Sequence, residues 1–72
     1  MTRKDFIYRE FAKGHGLQRP TKKGYITYYP VQNSSKKCRA VTYYPLNGNK
    51  TYRLVNIDIV IRNFSKIDTV IL

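Results

Sequence analysis

The alternation of apolar and polar positions divides the chain into an opening helix and a run of strands. Over residues 2–13, Phe6, Ile7 and Phe11 place apolar groups at i, i+1 and i+5. Ile7 and Phe11 then share one helix face, and Arg9 and Lys13 form the opposite, solvated stripe. Thr2 stands at the N-cap with Asp5 as its capping-box partner, and Gly14 and Gly16 are stop signals. Residues 14–23 lose all periodicity and read as a basic loop around Arg19, Pro20, Lys22 and Lys23.

From residue 24 onward the pattern is that of strands. Residues 26–31, Ile-Thr-Tyr-Tyr-Pro-Val, are echoed by 41–46, Val-Thr-Tyr-Tyr-Pro-Leu, with four of six positions identical. Both copies are β-branched and aromatic, and each proline marks a strand end or an edge. The echo is too short to be a solenoid repeat. Gln32–Lys37 is a polar loop. Asn47-Gly48 is the strongest turn signal in the chain and predicts a two-residue hairpin. That register sets Tyr43 opposite Tyr52, Val41 opposite Leu54 and Thr42 opposite Arg53. Val55, Ile57, Ile59 and Ile61 then alternate as the core face of a strand, against Asn56, Asp58 and Arg62, with Val60 as the interruption. Residues 67–72 form a fourth short strand or a packed tail, which makes the C-terminus structural.

The predicted fold is α+β: a single small domain over residues 1–72, with an N-terminal helix packed on a three- to four-stranded antiparallel sheet. The helix gives Phe6, Ile7 and Phe11 to the core. The sheet gives Val55, Ile57, Ile59 and Ile61, joined by Cys38 and Ala40. One helix covers one face only, so the other face, with Val41, Tyr43, Tyr52 and Leu54, is left to solvent, a partner protein or a second copy.

Composition adds a direction to this frame. The 72 residues hold 14 Lys and Arg against 4 Asp and Glu, a formal net charge of +10. A domain of this size buries only about 60% of its unfolded surface, so its stability is marginal. Between Glu10 and Asp58 there is no acidic side chain, while Lys13, Arg19, Lys22, Lys23, Lys36, Lys37, Arg39, Lys50 and Arg53 all fall in that gap. Surfaces tuned only for solubility mix both signs, because a one-signed field repels itself. The long cationic stretch therefore points to an anionic partner.

Tyrosine sharpens that reading. Six of the seven tyrosines lie in the acid-free stretch. Alternation puts one ring of each Tyr-Tyr pair on each sheet face, so about half are core and half exposed. Exposed rings interleaved with Lys and Arg suit stacking on bases with cations on phosphates. The expected nucleic-acid contacts are Arg19, Lys22, Lys23, Tyr28, Lys36, Lys37, Arg39, Tyr43, Lys50 and Arg53. Six of these cations on phosphates would give a log–log salt slope of about −5. No aromatic–glycine signature of an RNA-binding sheet, GXXG loop or zinc-finger spacing is present.

Catalytic signals are weak. His15 lies between Gly14 and Gly16, which leave its ring exposed and mobile, and Glu10 is the one carboxylate near it. Cys38 sits among alternating apolar positions and reads as core. One cysteine makes no internal disulfide, and one cysteine with one distant histidine makes no zinc site. No phosphate-binding glycine loop, signal peptide or membrane span is seen.

The sequence therefore reads as a small, basic, non-catalytic nucleic-acid-binding protein, DNA or RNA, without cofactor or metal. Its intracellular, reducing setting and its Asn-, Ile- and Lys-rich usage suit an accessory protein of a phage or mobile element. The alternative is a modulator that docks on an acidic protein surface, favoured by the apolar Val41/Tyr43/Leu54 face, which also suits a homodimer. A third reading, a small ribonuclease toxin, requires His15 in a cleft.

Overall fold

A computed structural model describes residues 2–72. Helix α1, Arg3–Ala12, is followed by strands β1 (Gly16–Pro20), β2 (Tyr25–Pro30), β3 (Lys37–Tyr44) and β4 (Asn49–Asn56). Helix α2 (Ile57–Arg62), a 3₁₀ turn (Phe64–Lys66) and strand β5 (Thr69–Ile71) complete the chain. The fold is α+β. All strand pairs are antiparallel, and the five strands are ordered β4-β3-β2-β1-β5.

The helix α1 forms for the expected local reasons. Thr2 Oγ1 accepts the Asp5 N–H at 3.1 Å. At the other end Gly14 adopts φ 79°, its N–H reaches the Phe11 carbonyl at 2.9 Å, and the His15 N–H reaches the Glu10 carbonyl at 3.0 Å. That pair of bonds is a Schellman cap, which needs the left-handed glycine. Gly14 alone stops the helix, because Gly16 already belongs to β1.

Three sequence expectations are corrected. Residues 16–20, assigned to a basic loop, form β1, paired with β2 on one side and β5 on the other. Five residues with one apolar side chain, Leu17, show no visible alternation, yet Leu17 is fully buried. Residues 57–62, assigned to a strand, are helical. The β3–β4 ladder begins at the Lys37–Asn56 pair, so beyond Asn56 a strand would run past its neighbour. Asn56 instead caps the helix, its Oδ1 accepting the Asp58 N–H at 2.9 Å. Ile57 and Val60, three apart, turn inward, and Val60 has no exposed surface.

The third correction is the hairpin. Its loop has four residues, 45–48, closed by the Gly48 N–H on the Tyr44 carbonyl at 2.8 Å, with Gly48 at φ 72°. A two-residue loop would draw Pro45 into the ladder, where it has no N–H to donate. Val41 therefore faces Tyr52, Thr42 faces Thr51, and Tyr43 faces Lys50. The shift of two residues preserves side-chain parity, so the strand faces stay as the sequence placed them.

The core lies on one side of the sheet. Ile7 and Phe11 from α1, and Ile57 and Val60 from α2, close over Leu17, Tyr28, Cys38, Ala40 and Val55. Phe6, Ile59 and Ile61, expected in the core, pack at its margin. Phe6 meets Phe64 edge-on at 5.6 Å. Among the described residues no helix is long and apolar enough to cross a membrane.

Candidate nucleic-acid interface

Both helices lie against one face of the sheet, so the other face has no cover from secondary structure. Its side chains follow from the ladder register. One rung carries Tyr25, Tyr43 and Lys50; the next carries Gln18, Thr27, Val41 and Tyr52; a third carries Tyr29, Arg39 and Leu54. Lys37 continues the series beyond Arg39. Four tyrosines thus share this open face with three cations.

Local packing fixes several of these rings. Tyr25 and Tyr43 pack with centroids 5.1 Å apart at 45°, and Lys50 Nζ lies 5.7 Å from the Tyr43 centroid. Tyr29 lies close against Gly16, where an added Cβ would come within 2.8 Å of the ring. Beneath the rings Thr27 is buried, and its hydroxyl donates to Gln18 Oε1 at 3.1 Å. Tyr52 (63% exposed) and Leu54 (64% exposed) stand free on β4, the outer strand.

The electrostatics of the face are one-signed. Asp5 and Glu10 are on α1, Asp58 is on α2, and Asp68 precedes β5, so no carboxylate stands on the open face. Among the described residues, both ion pairs converge on Glu10. Lys37, Arg39 and Lys50 have no carboxylate to neutralise them. The face can stack planar rings and hold anions beside them.

The ten residues named from the sequence are therefore divided. Lys37, Arg39, Tyr43 and Lys50 stand together on the open face. Arg19, Lys22, Lys23 and Arg53 gather on the opposite side, at the end the helices leave bare. Tyr28 is core, 2% exposed, and its hydroxyl accepts the Arg19 Nε–H at 3.3 Å. Lys36 is separate again, in a hollow with Lys4, Tyr8 and Asp58. Tyr25, Tyr29 and Tyr52 belong to the face but are not among the ten, although the sequence already placed Tyr52 there. The period of 15 is odd, so the echoed Tyr-Tyr pairs have opposite parity: Tyr29 and Tyr43 face out, while Tyr28 and Tyr44 face the helix side.

The remaining candidates, His15 and Cys38, are packed against the rest of the fold. His15 is partly buried rather than exposed: its Nδ1 lies 3.1 Å from Glu10 Oε1, and its side chain is 22% exposed. The His15 hydrogen bond holds the Glu10 carboxyl below its ordinary range, Lys13 adds to this, and burial opposes it. Cys38 has no exposed surface, and burial pushes its thiol up to about 11. No group of three or more metal-ligating side chains is found among the described residues. No protein-family model, curated protein or solved structure matches the chain.

Proposed function

We propose that this protein binds single-stranded nucleic acid across the open face of its sheet, without catalysis. The observation that carries the reading is the coincidence on one uncovered face of Tyr25, Tyr29, Tyr43 and Tyr52 with Lys37, Arg39 and Lys50, and no carboxylate. Bases stack on the rings and phosphates run along the cations. A flat sheet admits an extended strand whose bases are splayed, whereas duplex bases keep their faces stacked on one another. A binding rather than catalytic role is favoured by the burial of Cys38, the one thiol nucleophile of the chain.

Alanine in place of Tyr52 or Tyr43 tests the reading. Each ring that stacks contributes about 1–3 kcal/mol, so each variant should weaken binding of a 12-nucleotide single strand by about fivefold to a hundredfold. Lys4→Gln, on the exposed side of α1, is the control and should have a far smaller effect. DNA and RNA strands are run side by side. Unchanged affinity on Tyr52→Ala and Tyr43→Ala would remove the open face from the interface.

A second reading is favoured by one observation: β4 is an eight-residue edge strand with Tyr52 and Leu54 bare on it. Such an edge also suits strand addition by an acidic protein segment. Its mark would be binding of an acidic peptide that is lost on Leu54→Asp.

A further inference from the structure

The helices do not cover the whole of their own face. They close over the rung Leu17, Tyr28 and Ala40; of the next rung only Ile26 packs against the core margin, and Thr42 and Thr51 lie outside it. At that bare end the β1–β2 turn, closed by the Thr21 N–H on the Gly24 carbonyl at 2.8 Å, stands over the sheet. The result is a cleft of about 400 Å³ on the side opposite the tyrosine face.

The lining of this cleft has two parts. Lys22, Lys23 and Arg53 supply three cations, and the Thr42 and Thr51 hydroxyls stand between them on the sheet. Ile26 and the half-buried Tyr44 supply an apolar side. No carboxylate lines the cleft, and none pairs with its cations among the described residues. An adjoining hollow shares Thr21 and Lys22 and adds Arg19 and Lys66. Its Arg19 is oriented by the Tyr28 hydroxyl.

We propose that this cleft is a second, separate binding site, and that it takes one nucleotide unit. The phosphate is held by Lys22, Lys23 and Arg53, and the base rests on Tyr44 and Ile26. A volume of this order accommodates a small organic ligand. Three cations lining one cleft that no acid neutralises favour a group of multiple negative charge, and arginine adds a planar fork that matches phosphate oxygens. The Tyr44 ring offers the stacking surface that inorganic phosphate does not use. The inference goes beyond the open-face reading and does not rest on it, since the two sites share no side chain.

The test is a titration of the full chain with adenosine 5′-monophosphate, followed by amide chemical shifts. Saturable shifts should centre on Lys22, Lys23, Ile26, Thr42, Tyr44 and Arg53, which line the cleft. Lys23→Gln and Arg53→Gln, both of exposed side chains, should each weaken binding by about tenfold. Adenosine without its phosphate should give no saturable shift at the same concentration. Tyr52→Ala should leave the titration unchanged, which separates this site from the open face. A six-nucleotide strand forms the second arm. If it shifts the cleft as strongly as the mononucleotide does, the phosphate is strand-borne; if it shifts only the open face, the ligand is a free nucleotide. Shifts from the mononucleotide that do not saturate, that map to the open face, or that survive Arg53→Gln unchanged would overturn the proposal.

Discussion

Glu10 is the residue where helix, turn and charge meet. It lies in the last turn of α1, 9% exposed, with His15 Nδ1 at 3.1 Å and Lys13 Nζ at 3.5 Å. Its carbonyl also closes the helix cap. The carboxyl titrates below its ordinary value of 4.5 in the folded protein, chiefly through the His15 hydrogen bond. A carboxylate depressed by folding stabilises the native state above its unfolded pKa and loses that contribution as pH falls through the folded value. Glu10→Gln should therefore lower the thermal midpoint at pH 7. The gap to the parent protein should close as the pH is taken down through and below the ordinary value of 4.5, where the carboxylate loses its charge. A gap of constant size across that range would mean that the carboxylate charge contributes nothing. Gly24 shows the same economy in steric form: a Cβ there would overlap the Tyr43 carbonyl oxygen, so the β1–β2 turn and the end of β3 pass closer than any other residue permits.

Among the elements, α2 shows most clearly how a local pattern yields to its surroundings. Ile57, Ile59 and Ile61 alternate as a strand would, but Ile57 and Val60 also lie three apart, and so short an apolar run fits both periods. The outcome depends on where the β3–β4 ladder ends and on the Asn56 cap. Asn56→Ala should cost about 1 kcal/mol, within a range of roughly 0.5–2, read from denaturant midpoints. A strand over the same residues would lose almost nothing on that change. The elements legible in the sequence are those whose signals are local. The Thr2 cap and the Ile7/Phe11 pair give α1, and β-branched and aromatic runs give β2 and β3. Strand β1 was illegible because Leu17 is its one apolar residue and its pairing with β2 and β5 is a tertiary matter. The candidate face was half legible. The two-residue-turn register brought Val41, Tyr43, Tyr52 and Leu54 together, and the observed shift of two residues leaves them on one face. The six residues between β2 and β3 leave their mutual register open, so nothing local chose Tyr29 over Tyr28 as the outward ring.

At the scale of the whole molecule, the sheet acts as a partition between two cationic surfaces. A charge of +10 on 72 residues would repel itself less if it were spread evenly. Instead Lys37, Arg39 and Lys50 stand with four tyrosines on one side, and Lys22, Lys23 and Arg53 on the other. This division changes the expected salt dependence. Six cations on one phosphate track imply a log–log slope of about −5, whereas three on a single strand imply about −2. The direct test of the open-face account is the affinity for a 12-nucleotide single strand and for the matching duplex, each measured from 50 to 300 mM salt. The account predicts tighter binding of the single strand, with a slope of about −2 that is unchanged when Lys23 and Arg53 are both replaced by glutamine. Equal affinity for both forms, with a slope near −5 that falls on those same replacements, would contradict it and leave bare charge as the whole of the interaction.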